Sequence, residues 1–309
     1  MALLTKVKTR MAVHAHRKVR GLLDGAYASV QLGRSMDFFD LREYVPGDEV
    51  KDIDWKSSAR RGELLVKRFV ADRKHTVLLC VSTSQTMAAL CSPPRSACHC
   101  PEPCRCPRLP TYKRDVAVLA AGILGWLAVR HGDWVSLVHG NREQVHWLRP
   151  ASREDALERM LQQIQAGCQP ESPEPALGSL LDYVVRSVRR RTILVVIADD
   201  VDLDGETEHQ LNRLRAQHEV LFLTIGDLDP TDPALGRTGL VDQAHRLAWP
   251  PLLRSAELHR AVAAEAAQRH QRRGRQLDRL GIAGEHITDE ADVIGSIFTL
   301  LERHRHARA

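Results

Sequence analysis

The 309-residue sequence predicts an α/β fold: a Rossmann-like, doubly wound, mostly parallel sheet carrying an N-terminal appended segment. Three observations carry this expectation. Short apolar runs alternate with helical periods from residue 75 to the end, as strands joined by crossover helices do. Two of those runs, HTVLLCVS (75–82) and RTILVVIAD (191–199), are rich in β-branched residues and uncharged between their ends, the pattern of strands covered on both faces. With 43% hydrophobic residues, the chain has apolar surface enough for one large embellished domain. A disordered or fibrous protein is excluded.

Residues 1–74 are charge-rich and read as a helix-like opening followed by an irregular stretch. Gly33, Pro46-Gly47-Asp48 and Arg61-Gly62 mark its turns, and a short strand covers 63–70. The strand at 75–82 ends in the polar run Thr83–Thr86. A long apolar helix with Gly122 and Gly125 inside it spans 113–131, followed by strands at 133–140 and 143–148. Helices at 152–165 and 176–190 lead to the strand at 191–199. A helix at 205–216, a strand at 218–226 and an Ala/Arg/Gln-rich helix near 253–280 come next, then an extended piece at 284–288 and a helix at 290–305. The chain therefore divides into a 1–74 segment packing on the sheet and a 75–309 domain, interrupted at 91–110 by the Cys/Pro-rich insertion CSPPRSACHCPEPCRCPRLP. Ligands of such sheets sit beyond the carboxyl ends of the strands, here Ser82–Thr86 and Asp199–Asp204.

Composition narrows the function classes. The balance of 44 Lys+Arg against 39 Asp+Glu leaves a net charge of +5, and 5% aromatic residues offer few platforms for stacking bases. Lys6, Lys8, Arg10, Arg17, Lys18 and Arg20 concentrate basic charge in residues 1–23. That stretch reads as a solvated basic helix, with nucleic-acid contact as the competing reading. Residues 253–309 hold ten Arg against eight acids, a poor nucleic-acid patch. The longest nearly apolar stretch, 116–129, is too short to span a bilayer, and the N-terminus lacks a secretory h-region. A cytoplasmic protein is expected.

The first strand end, Ser82-Thr83-Ser84-Gln85-Thr86, and the later Ala198-Asp199-Asp200 together resemble the metal-ion-dependent adhesion site of the von Willebrand factor type A fold. In that site an Asp-x-Ser-x-Ser loop, a Thr and a later Asp hold a divalent cation through oxygen ligands, as hard cations require. Ser84 and Thr86 match the two hydroxyl positions and Asp199 the later Asp. Ser82 stands where the leading Asp belongs, and the loop expected to supply a Thr reads Pro173-Glu174-Pro175-Ala176. The resemblance therefore implies a degenerate site, holding little or no Mg²⁺.

A second resemblance rests on Gly33-Arg34-Ser35-Met36-Asp37-Phe38, Leu41-Arg42-Glu43-Tyr44-Val45-Pro46-Gly47-Asp48, Ile53-Asp54-Trp55 and Ser58-Ala59-Arg60. In this order and spacing they resemble the signature of the domain of unknown function 58 family, whose members carry a von Willebrand factor type A-like domain. The likeness continues through Lys113, the Asp199 strand end and Leu280-Gly281-Ile282. Without membrane helices ahead of the motif, the chain resembles the family's short soluble type. The resemblance implies a non-catalytic partner of MoxR-type AAA+ ATPases, acting with an unidentified client in chaperone-like assembly or metal insertion. Read physically, Asp48, Asp52 and Asp54 lie within reach of Arg42 and Arg60, as ion pairs that staple the segment to the sheet, with a binding role as the competing reading. Phe38, Tyr44 and Trp55 are the expected packing anchors, with Gly33 and Gly47 at its turns.

Cys91, Cys98, Cys100, Cys104 and Cys106, with His99, offer more soft ligands than a tetrahedral Zn²⁺ needs, but without C-x2-C knuckles. A Pro-rich loop with reduced thiols is the competing reading. Cys80 and Cys168 read as small buried apolar residues. Asp200-Val201-Asp202-Leu203-Asp204-Gly205 imitates an EF-hand start, but the twelfth position is Leu211, so its acids read as caps of the next helix. No P-loop, nucleophile elbow or H-E-x-x-H motif appears. The enzymatic alternative is a metal-dependent hydrolase using Asp199 and Asp200, which lacks an accompanying general base.

Overall fold

The computed structural model describes residues 2–14, 27, 38–45, 48, 50, 53–69, 75–96, 108–235, 239–250 and 253–306. The described strands are β1 (Phe38–Glu43), β2 (Leu65–Phe69), β3 (Thr76–Ser82), β4 (Leu90–Ser96), β5 (Arg108–Tyr112), β6 (Trp134–Gly140), β7 (Val145–Ala151), β8 (Ile193–Asp199), β9 (Glu219–Ile225), β10 (Leu240–Val241), β11 (Ala248–Trp249) and β12 (Ala283–Ile287). The helices are α1 (Leu3–His14), α2 (Trp55–Arg61), α3 (Lys113–Arg130), α4 (Glu154–Gly167), α5 (Leu177–Ser187), α6 (Gly205–Gln217), α7 (Ala256–Arg279) and α8 (Val293–His306).

Every residue of β3, β8 and β9 is buried, which explains their unbroken apolar sequence. The central sheet has six strands in the order β12-β9-β8-β3-β6-β7. All neighbours pair in parallel except the edge strand β7, which runs antiparallel to β6. Taken in chain order, this is the 3-2-1-4-5-6 arrangement of doubly wound sheets, closed on one side by an antiparallel edge. It confirms the predicted von Willebrand factor type A-like fold class.

Strand alternation sends Val77, Leu79 and Val81 into a core shared with α1, α3, α4 and α8, and Leu78 and Cys80 into a second core under α5 and α6. Helix α3 is apolar on nearly every side because both the sheet and three other helices, α1, α4 and α8, cover it. Gly122 and Gly125 permit that crowding: a Cβ on Gly122 would lie 2.6 Å from Val7 Cγ2, and one on Gly125 2.6 Å from Leu157 Cδ1. Cys80 and Cys168 are buried among these side chains, as expected.

The N-terminal stretch departs from a merely solvated basic helix. Leu4, Val7 and Met11 of α1 are buried, and the Leu3 and Leu4 amides donate to the Glu158 carboxylate at 2.9 and 2.7 Å. Lys8 pairs with Glu154 at 2.7 Å, and Lys6 and Arg10 both face Glu290 at 3.6 and 3.2 Å. Half of the basic cluster is thus committed to intramolecular acids, which weakens the nucleic-acid reading. Arg17, Lys18 and Arg20 lie outside the described residues. Three small two-stranded ribbons, β1-β2, β4-β5 and β10-β11, were not anticipated by the alternating pattern. Among the described residues, no helix is long and apolar enough to cross a membrane.

Candidate functional site

The strand order reverses between β3 and β8, so their carboxyl ends flank the crevice where such sheets bind ligands. Ser82 closes β3 and is buried. Its Oγ lies 3.5 Å from Ser84 Oγ, which lies 3.0 Å from Thr86 Oγ1, so the three predicted hydroxyls form one chain. Asp199 closes β8, and Asp227 follows β9 by two residues. The Leu228 amide donates to the Leu90 carbonyl at 3.0 Å, tying the Asp227 loop to β4.

Into this crevice comes Lys113, the first residue of α3, whose side chain is 0% exposed. Its Nζ lies 3.2 Å from Asp199 Oδ1 and is also in contact with Asp227 Oδ1. A cation at a helix N-terminus opposes the helix dipole, and a buried ammonium loses its hydration. Burial alone would lower the Lys113 pKa, but the Asp199 and Asp227 carboxylates outweigh it and hold it above its ordinary value. Burial also raises Asp227, with Lys113 opposing. That carboxylate is 56% exposed to a cavity, yet the protein around it is dense enough to strip much of its solvation.

The donor set does not suit a divalent cation. Ser82 supplies a neutral hydroxyl where a carboxylate is needed, and Ser84 and Thr86 hydrogen-bond each other. The Pro173 loop contributes a backbone carbonyl to the Gln85 amide at 3.2 Å rather than a Thr hydroxyl. Asp199 already holds an ammonium 3.2 Å away. A Mg²⁺ bound to Asp199 Oδ1 would sit within roughly 5 Å of Nζ, a repulsion of about 7 kcal/mol at surface-like dielectric. The adhesion-site resemblance thus ends in an ion-paired triad built from the chain itself. Sequence reasoning located Ser82, Ser84, Thr86 and Asp199, but used Lys113 only as a family position and missed Asp227.

The hydrolase reading required Asp199 and Asp200 to act together, and the structure separates them. Adjacent strand-end residues point to opposite faces. Asp200 pairs at 2.6 Å with Arg273, whose side chain is 3% exposed, while Asp199 pairs with Lys113. Asp202 pairs with Arg272 at 3.0 Å, and Asp204 caps α6 by accepting from the Thr207 amide at 2.8 Å. The EF-hand imitation is therefore a set of ion pairs and a cap.

Of the zinc candidates, Cys91 is buried: its thiol donates to the Thr288 carbonyl at 3.0 Å, and burial pushes its pKa up to about 12. Cys98, Cys100, Cys104 and Cys106 lie outside the described residues. No group of three or more metal-ligating side chains forms among the described residues.

In the signature segment, Arg42 makes the expected ion pair with Asp48, through two bonds of 2.8 and 2.6 Å. Asp54 caps α2 by accepting from the Ser57 amide at 3.0 Å. Trp55 is no packing anchor: as the first residue of α2 it is 62% exposed, while Ile53, Ser58, Leu65 and Val66 are buried. Tyr44 is half-buried and Arg60 exposed. Gly33, Gly47 and the Phe38 side chain lie outside the described residues. Val45, Val50 and Leu64 are exposed alongside Trp55.

A cavity of about 480 Å³ opens beside the triad. Asp199, Asp227 and Thr86 reach it from the strand ends, and Leu90, Tyr112 and Trp249 wall it.

Two relatives, "Uncharacterized protein Rv1480" of Mycobacterium tuberculosis and "Uncharacterized protein Mb1516" of Mycobacterium bovis, are 28% identical over 229 residues, 72% of this chain and 64% of theirs. The chain thus covers less than two thirds of those proteins' length. An aerotolerance-related membrane protein from Bacteroides fragilis is structurally similar at TM-score 0.40 and 14% identity, over 74% of this chain and 98% of that one. A von Willebrand factor type A protein from Catenulispora acidiphila gives TM-score 0.39 and 11% identity, over 78% of this chain and 44% of that one. The family described as "Protein of unknown function DUF58" matches residues 40–96 and 105–273, passing over 97–104 within the Cys/Pro-rich stretch. With most of its length so matched, the chain belongs to the DUF58 family.

Proposed function

We propose that this chain is a non-catalytic protein-interaction scaffold, and that it partners a MoxR-type AAA+ ATPase in chaperone-like assembly or metal insertion. The observation that carries the reading is the Lys113–Asp199–Asp227 triad at the switch point. It fills the reactive end of the sheet with an ion-paired group and, among the described residues, leaves neither a nucleophile with its base nor an open coordination position. A concave site without such machinery suits binding rather than turnover.

Exposed apolar side chains in the family signature add a docking face. Trp55, Val45, Val50 and Leu64 are exposed, and tryptophan is the residue type most often found at interface hot spots. The test is capture of a MoxR-type ATPase by the immobilised full chain, with the ATPase in its ADP and ATP states. Capture in at least one state is expected, weakened about tenfold or more by Trp55→Ala with the fold unchanged by circular dichroism. Absence of capture in both states would contradict the proposal.

A further inference from the structure

Three side chains fix the charge at the cavity floor. Asp199 and Asp227 contribute two negative charges and Lys113 one positive, so the triad nets one negative charge. A divalent metal held by one carboxylate at the same strand end would present the opposite sign. Among the described residues, the ion-pair partner of Asp227 is Lys113, and 56% of the Asp227 side chain stays open to the cavity. Asp242, at the rim, is already engaged by His245 at 3.1 Å and by the Ala244 and His245 amides at 2.7 and 3.1 Å. Asp227 is therefore the anchor.

We propose that this cavity takes a basic side chain, an arginine or lysine on an apolar segment of a partner protein, with Asp227 as its counter-ion. This rests on the scaffold reading and specifies the chemistry the scaffold selects. Leu90, Tyr112, Leu228, Leu240 and Trp249 supply apolar walls for the methylene stem, which long basic side chains lay along apolar surface. A volume of about 480 Å³ accommodates one such side chain with its flanking residues. The net negative charge attracts a cationic side chain and repels acidic competitors. The built-in ammonium of Lys113 thus reverses the charge preference that a metal would impose.

The test titrates the ¹⁵N-labelled full chain with N-acetyl-arginine amide and, separately, N-acetyl-aspartate amide, following the Trp249 indole and Gly239 amide signals. Saturable shifts are expected with the arginine probe and none with the aspartate probe. Asp227→Asn should weaken arginine binding at least about tenfold. Val241→Lys, at an exposed rim position outside the triad, should weaken it similarly by placing a tethered cation in the cavity. Equal response to both probes, or unchanged arginine binding in either folded variant, would overturn the proposal. Should Asp227→Asn fail to fold, Val241→Lys decides alone. A wild-type chain that binds the arginine probe but never captures the ATPase supports this site and overturns the ATPase pairing. One that captures the ATPase but ignores the probe overturns this site and leaves the scaffold.

Discussion

A lysine at the first position of a helix works against the helix dipole, and complete burial adds a desolvation cost of several kcal/mol. Lys113 is tolerated there because Asp199 and Asp227 both face its ammonium. Removing it leaves two carboxylates close together without a counter-ion, so Lys113→Met should lose about 3–5 kcal/mol at pH 7 by urea unfolding. The deficit should shrink on going to pH 4, as Asp227, whose pKa burial raises, takes up a proton. His139 makes a second prediction. Its ring is 4% exposed, Nδ1 lies 3.3 Å from Thr83 Oγ1, and burial, then His146, lower its pKa to about 4. An unfolded histidine takes a proton near pH 6.5, which the native ring resists. Its stabilisation is therefore complete above pH 6.5 and is lost as pH falls toward 4, by up to about 3 kcal/mol. In His139→Asn, the stability lost between pH 7 and 4.5 should be smaller by about 2 kcal/mol, measured by urea unfolding at both values.

At the scale of elements, most strands and helices were legible because each carries its own period. The strand read at 191–199 is Ile193–Asp199, and the helix read at 113–131 is Lys113–Arg130. The short ribbons were not legible, since pairing such as Leu90 with Tyr112 depends on contacts across the Cys/Pro-rich stretch rather than on local pattern. Trp55 was misjudged for a related reason: its size suggested an anchor, but its position at the start of α2 turns it outward, and the smaller Ser58 fills the inner place. The glycines inside α3 were visible in the sequence, while their cause was not. Gly122 admits Val7 of α1, so Gly122→Val should cost about 1–3 kcal/mol by overpacking. Limited trypsin digestion should then cut faster at Lys8 and Arg10, as α1 lifts from its seat.

For the whole molecule, the alternation of buried strands and helices was enough to predict a doubly wound sheet, and the chain's strand order places its switch point between β3 and β8. That topology brings together residues far apart in sequence. Ser82, Ser84, Thr86 and Asp199 could be named because they match a known loop pattern. The pairing of Lys113 with Asp227 could not, because nothing beside a basic residue at a helix start says that it will be buried under two strand ends. Lys113 sets an ammonium beside Asp199, the carboxylate that the adhesion-site resemblance would give to a cation. Thermal unfolding of the full chain in rising Mg²⁺ or Mn²⁺ tests it most directly. In the wild type the midpoint should stay unmoved by millimolar metal. A saturable rise of several degrees, abolished by Asp199→Asn, would contradict it.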